Sequence, residues 1–113
     1  MNTMKIKELA EISPNYTGII EWEDDSTKWW IKNGELHRED GPAIIRGYRN
    51  KEWWLYDECI WHSDRKKLDL SKFIILSKKL HPLYPTCQLL KYLDKDKIQE
   101  QIIIPGMEKY FIE

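Results

Sequence analysis

Cysteine is scarce in this chain, with two in 113 residues. Cys59 and Cys87 are too few for a disulfide framework and lack metal-ligand spacing, so they read as ordinary thiols of a reducing compartment. Adding His37, His62 and His81 does not yield a ligand pair within one local unit, so no metal and no cofactor is expected. Long apolar runs are missing too: nothing approaches the roughly 20 residues of a membrane-spanning helix, and Met1–Ala10 carries charges instead of an apolar leader. These absences predict a soluble protein of the cytoplasm with no membrane partner. Glycine is limited to Gly18, Gly34, Gly41, Gly47 and Gly106. They are dispersed, which excludes a glycine-rich phosphate loop.

What the chain does have is aromatic residues, six Trp, six Tyr and two Phe, together with one-third charged residues, a balance that suits a folded domain. Its length suits a single domain, 1–113. The net charge of −1 hides an uneven distribution. Residues 1–64 hold 8 Lys and Arg against 13 Asp and Glu, residues 65–81 hold 6 against 1, and residues 82–113 hold 4 against 5. Near-neutrality argues against indiscriminate binding to nucleic acid, while the basic segment reads first as a solvated face.

One pattern is stated twice. Trp29-Trp30-Ile31-Lys32-Asn33-Gly34-Glu35-Leu36 returns 24 positions later as Trp53-Trp54-Leu55-Tyr56-Asp57-Glu58-Cys59-Ile60. A period of this length fits one small supersecondary unit per repeat. Short β-type runs separated by turn residues fill 18–64, and Asn33-Gly34 is the strongest turn signal, because a two-residue type I′ turn needs positive φ at both central positions. That turn pairs Lys32 with Glu35, Ile31 with Leu36 and Trp30 with His37; Asp57-Glu58 is expected to serve the same role in the second copy. Strand alternation then puts Trp29, Ile31, Leu36, Trp53, Leu55 and Ile60 on one face, and Trp30, His37, Trp54 and Trp61 on the other. Ahead of the repeats lies an arm, 1–17, with a weak helical hint in Lys5–Ile12. Behind them, 65–113 reads as a helical tail: Leu70, Phe73, Ile74, Ser77 and Leu80 mark one side of a helix over Asp69–Leu80, with a strand over Phe73–Leu76 as the competing reading. Leu89, Leu90 and Leu93 mark a second helix after Pro85-Thr86, extending towards Ile98 and Ile102. The fold class expected is therefore α+β, an antiparallel meander of hairpin repeats with the C-terminal helical segment packed on the sheet.

The run Trp30-Ile31-Lys32-Asn33-Gly34-Glu35-Leu36-His37-Arg38-Glu39-Asp40-Gly41-Pro42-Ala43 resembles a repeat of proteins from large DNA viruses and bacteriophages, similar to the hairpin units called MORN repeats. The resemblance covers residues 18–64. It implies stacked hairpins used as a scaffold or binding surface, an accessory role, and no catalytic residues; the tail carries no such resemblance.

His37 to Pro42 brings acid, base and imidazole together, yet neighbouring strand residues point to opposite faces, and no partnered nucleophile is visible. The structural reading is that Asp40-Gly41-Pro42 turns the chain, Arg38 pairs with a carboxylate and His37 packs on Trp30. No catalytic site is expected. The residues expected to bind are Trp30, His37, Trp54 and Trp61, with Arg46 and Arg49 as charged neighbours, since tryptophan and arginine concentrate at the energetic centres of protein interfaces. The function expected is a non-enzymatic viral or phage accessory protein that binds and inhibits a host defence or regulatory protein. The alternative is a nucleotide or oligonucleotide held on the aromatic face. Exposed edge strands further suggest a homodimer.

Overall fold

β-Branched and aromatic residues punctuated by turn residues build about half of the chain as strand. The structure, a computed structural model, describes residues 2–113 and holds twelve strands and three 3₁₀ turns. It divides into two compact units, residues 2–38 with 42–64, and residues 39–41 with 65–113.

The first unit is a sheet of seven strands: β1 (Thr3–Ile6), β2 (Gly18–Trp22), β3 (Lys28–Lys32), β4 (Glu35–Leu36), β5 (Ile44–Arg46), β6 (Asn50–Leu55) and β7 (Glu58–His62). Their order is β1-β2-β3-β5-β6-β7, with β4 also on β3; β1 runs parallel to β2 and every other pair is antiparallel. Asn33 and Gly34 both have positive φ, and Ile31 faces Leu36 and Lys32 faces Glu35, the register expected from the sequence. β4 and β5 lie one after the other along β3, Leu36 against Ile31 and Ile44 against Trp29. Between them the chain leaves the sheet, and the Arg38 amide, donating to the Trp54 carbonyl at 3.0 Å, joins this broken strand to β6.

The arm expected to be weakly helical supplies β1 instead. Ile6 and Ile12 from it pack with Ile20, Ile31, Trp22, Trp29 and Leu36 over one face, and full burial of an Ile side chain is worth about 1.5–3 kcal/mol. Among the described residues of the arm the helical piece is a 3₁₀ turn at Leu9–Glu11, closed by a capping box of Glu8 and Glu11. Ion pairs Lys5–Glu21 and Lys7–Glu23, at 3.6 and 3.7 Å, run between β1 and the end of the β2 segment.

The face assignments expected for the second copy are overturned. The second hairpin turns at Tyr56-Asp57, both with positive φ, so Leu55 faces Glu58. The turn lies one residue back from Asp57-Glu58, where contacts with β4 and the residue after it hold it: the Asp57 amide donates to the Leu36 carbonyl at 2.9 Å, the Asp57 carboxylate accepts the Leu36 amide at 2.7 Å, and His37 Nδ1 accepts the Tyr56 amide at 3.0 Å. A bulge then makes Trp54 face Cys59 and Trp53 face Trp61. The β5–β6 register shifts as well: Trp29, Ile44 and Glu52 are successive cross-strand partners, so Trp54 shares their face and Trp53 takes the other. A slip of one residue exchanges the faces of a strand. Trp53 therefore lies with Trp30, and Trp54 with Trp29, the reverse of the repeat equivalence.

The second unit overturns the helical tail and, with it, the α+β class. Asp69–Leu80 is a 3₁₀ turn (Leu70–Lys72), capped by Asp69, followed by β9 (Ile74–Leu80). The second expected helix is the hairpin of β10 (Gln88–Asp94) and β11 (Lys97–Ile103), turning at Lys95-Asp96. These strands form an antiparallel sheet in the order β11-β10-β9, and β8 (Leu68–Asp69) pairs in parallel with β12 (Phe111–Ile112). The reason is local: Asp94-Lys95-Asp96 breaks the supposed second helix, and β-branched Ile98, Ile102 and Ile103 suit a pleated surface better than a helical turn. Leu70, Leu90, Ile103, Ile104, Met107, Tyr110 and Phe111 are the buried apolar side chains of this unit, together with Cys87. Burial raises the Cys87 thiol above its ordinary pKa. Thr86 Oγ1 and Cys87 Sγ both donate to the Glu39 carbonyl, the latter at 3.2 Å, so residues 39–41 are held by this unit. Among the described residues no helix is long and apolar enough to cross a membrane.

Candidate interaction surface

Cross-strand neighbours β2, β3 and β5 carry Ile19 and Glu21, Lys28 and Trp30, and Ile45 on one face of the first sheet. At one end of this face a groove of about 630 Å³ is lined by Trp30, Ile45 and Tyr48, with Glu21, Asp25 and Lys28 contributing charge. The tight β5–β6 connection places Tyr48: Arg46 faces Asn50, and Gly47 turns the chain with φ +63. Tyr48 is consequently 99% exposed, and Arg49 beside it is exposed. Asp25 accepts hydrogen bonds from the backbone and side chain of Thr27, which hold its carboxyl below the usual range and keep it ionised. Two carboxylates and one lysine make a poor seat for phosphate but an ordinary mixture for a protein surface.

Trp30 is half-buried, and Arg38 stands over its ring at 4.0 Å while donating to the Pro42 carbonyl at 3.1 Å. Cation–π stacking of this kind is worth about 0.5–2 kcal/mol, and here it also clips the ends of the excursion between β4 and β5. The stack of Arg38 on Trp30 is not legible from the sequence.

The other expected residues do not gather at this groove. His37 is 6% exposed; its ring lies 4.0 Å from that of Tyr56, and its Nδ1 accepts the Tyr56 amide at 3.0 Å. An accepting Nδ1 puts the proton of the neutral ring on Nε2. Trp61 is 2% exposed and therefore closed to a partner in this structure. Trp54 is half-buried on the opposite face, where its Nε1 donates to Glu52 at 3.0 Å and Glu52 also pairs with Arg46. Arg46 belongs with Trp22 and Trp29 around a smaller pocket of about 180 Å³. Of the expected residues Trp30 lines the groove, and Arg49 is exposed next to Tyr48 in the chain. Tyr48 and Lys28 were missed because nothing in the letters Gly47-Tyr48-Arg49 distinguishes a projecting loop tip from an ordinary turn. Among the described residues, no group of three or more His, Cys, Asp or Glu could hold a metal ion.

Fold and surface together define an all-β chain of two small units, the first with an aromatic groove at a sheet end. Comparison with protein-family models, curated proteins and solved structures finds no match.

Proposed function

We propose that the chain is a non-enzymatic interaction protein of MORN-like repeat type, an accessory protein of the viral or phage kind, which binds and inhibits a host protein through the groove beside Trp30 and Tyr48. The observation that carries this reading is Tyr48, 99% exposed at a loop tip that lines a groove of aromatic, aliphatic and charged side chains. Tyr, Trp and Arg are the residues that dominate binding energy at protein interfaces, and a rigid hairpin presents them at low entropic cost. Phosphate-bearing ligands fit less well, because Glu21 and Asp25 line the groove and the three tryptophans needed for stacking are divided between a buried site and two faces.

The test is recovery of a stoichiometric partner from host extract by the wild-type chain and by Tyr48→Ala/Arg49→Ala. Both side chains are exposed, so the variant should keep the wild-type circular dichroism. Loss of the partner by the variant supports the reading, whereas equal recovery contradicts it. A tryptophan-fluorescence titration with nucleotides gives the complementary result: saturable quenching abolished by Trp30→Ala would instead establish a nucleotide binder.

A further inference from the structure

The strand β9, Ile74-Ile75-Leu76-Ser77-Lys78-Lys79-Leu80, is the outer strand of the β11-β10-β9 sheet, with β10 on one side and, among the described residues, no strand on the other. Six of its seven residues are exposed, including Ile74 at 63% and Leu80 at 66%. Ile74, Leu93 and Ile98 are consecutive cross-strand partners, so the apolar surface continues from this edge across all three strands. An exposed apolar edge strand is a template for pairing with another strand. It needs an occupant.

Charge selects among the occupants. Residues 65–81 hold six Lys and Arg against one Asp, and Lys72, Lys78 and Lys79 flank or belong to β9 itself. In the described structure the one ion pair β9 makes is Lys78 with Glu113, at 2.6 Å. A second copy would bring an equally basic edge against this one. An acidic strand meets no such repulsion.

We infer that β9 accepts, as a fourth strand, an extended acidic segment of a partner protein whose carboxylates alternate with apolar residues. Its main chain pairs with the open edge of β9, its carboxylates lie on the face that Ile74, Ser77 and Lys79 share, and its apolar side chains lie on the other face beside Ile75 and Leu80. This is strand addition, in which main-chain hydrogen bonds provide affinity and alternate side chains provide specificity. The site uses none of the residues of the Trp30 groove, and stands or falls independently of it.

The probe is a synthetic peptide of about nine residues alternating Glu and Val, long enough to span a seven-residue strand, with a Lys-Val peptide as its counterpart. Binding to the full chain is followed by calorimetry, and hydrogen exchange locates the protected amides. The Glu-Val peptide is expected to bind with protection confined to β9, and Lys72→Glu/Lys79→Glu to weaken it by about tenfold or more while admitting the Lys-Val peptide. Absence of binding, protection elsewhere, or an affinity indifferent to the charge reversal would overturn the assignment. So would a concentration-dependent dimer that the peptide dissociates, since β9 would then belong to a second copy.

Discussion

At the scale of single residues, backbone and side-chain contacts set the sharpest expectations. A Cβ at Gly34 would lie 2.0 Å from the Pro14 carbonyl oxygen, and its φ is +79. Gly34→Ala is therefore expected to destabilise the first unit by more than about 1 kcal/mol and to release the arm, seen as lost amide protection over residues 3–17. Arg38→Ala removes both the stack on Trp30 and the bond to Pro42; about 1–2 kcal/mol in chemical denaturation and a shift of tryptophan emission are expected. Three carboxyls are held below their usual pKa by donors at turns: Glu11 by the Lys7 and Glu8 amides, Asp25 by Thr27, and Asp69 by the hydroxyl and amide of Ser71. A lowered folded pKa means stability that is present above the unfolded value and lost as pH falls through the folded one. The denaturation midpoint should thus be insensitive to these groups above about pH 5 and decline below about pH 4, and Asp69→Asn should flatten that decline.

Elements show how much of the fold the letters carried. Asn33-Gly34 announces its turn and register unaided, because few other dipeptides tolerate positive φ twice. The second hairpin was legible only as a hairpin. Its turn at Tyr56-Asp57 depends on contacts with Leu36 and His37, which lie outside the hairpin, and a single residue of slip moves Trp61 from the open face to a buried place opposite Trp53. The tail misled for a different reason. Leu89, Leu90 and Leu93 satisfy a helical period, but the same letters serve β10, and the pairing with β9 and β11 decides in favour of strand. Of the candidate site, Trp30 was found through its repeat, while Tyr48 depended on the geometry of a three-residue connection. Lys95 begins the β10–β11 turn at φ +59. Lys95→Gly should relieve that strain and raise stability by about 0.5–1 kcal/mol in denaturation.

For the molecule as a whole, three sheets and, among the described residues, no helical piece beyond three-residue 3₁₀ turns mean that far-ultraviolet circular dichroism should show a β spectrum without helical minima. Unequal charge accompanies the division into units: 8 Lys and Arg against 11 Asp and Glu in the first, 10 against 8 in the second. Partners of opposite character therefore suit the two units, an aromatic-seeking surface for one and an acidic strand for the other. The surface of the first unit depends on which tryptophans its sheet leaves beside the groove, and the register of β6 against its neighbours decides which face each takes. Cross-strand backbone NOEs measured on the isotope-labelled chain test it most directly. Contacts of Trp53 with Trp61 and of Trp54 with Cys59 are expected; contacts of Trp54 with Trp61 and of Leu55 with Ile60 would restore the simple repeat and contradict the arrangement of faces described for the first unit.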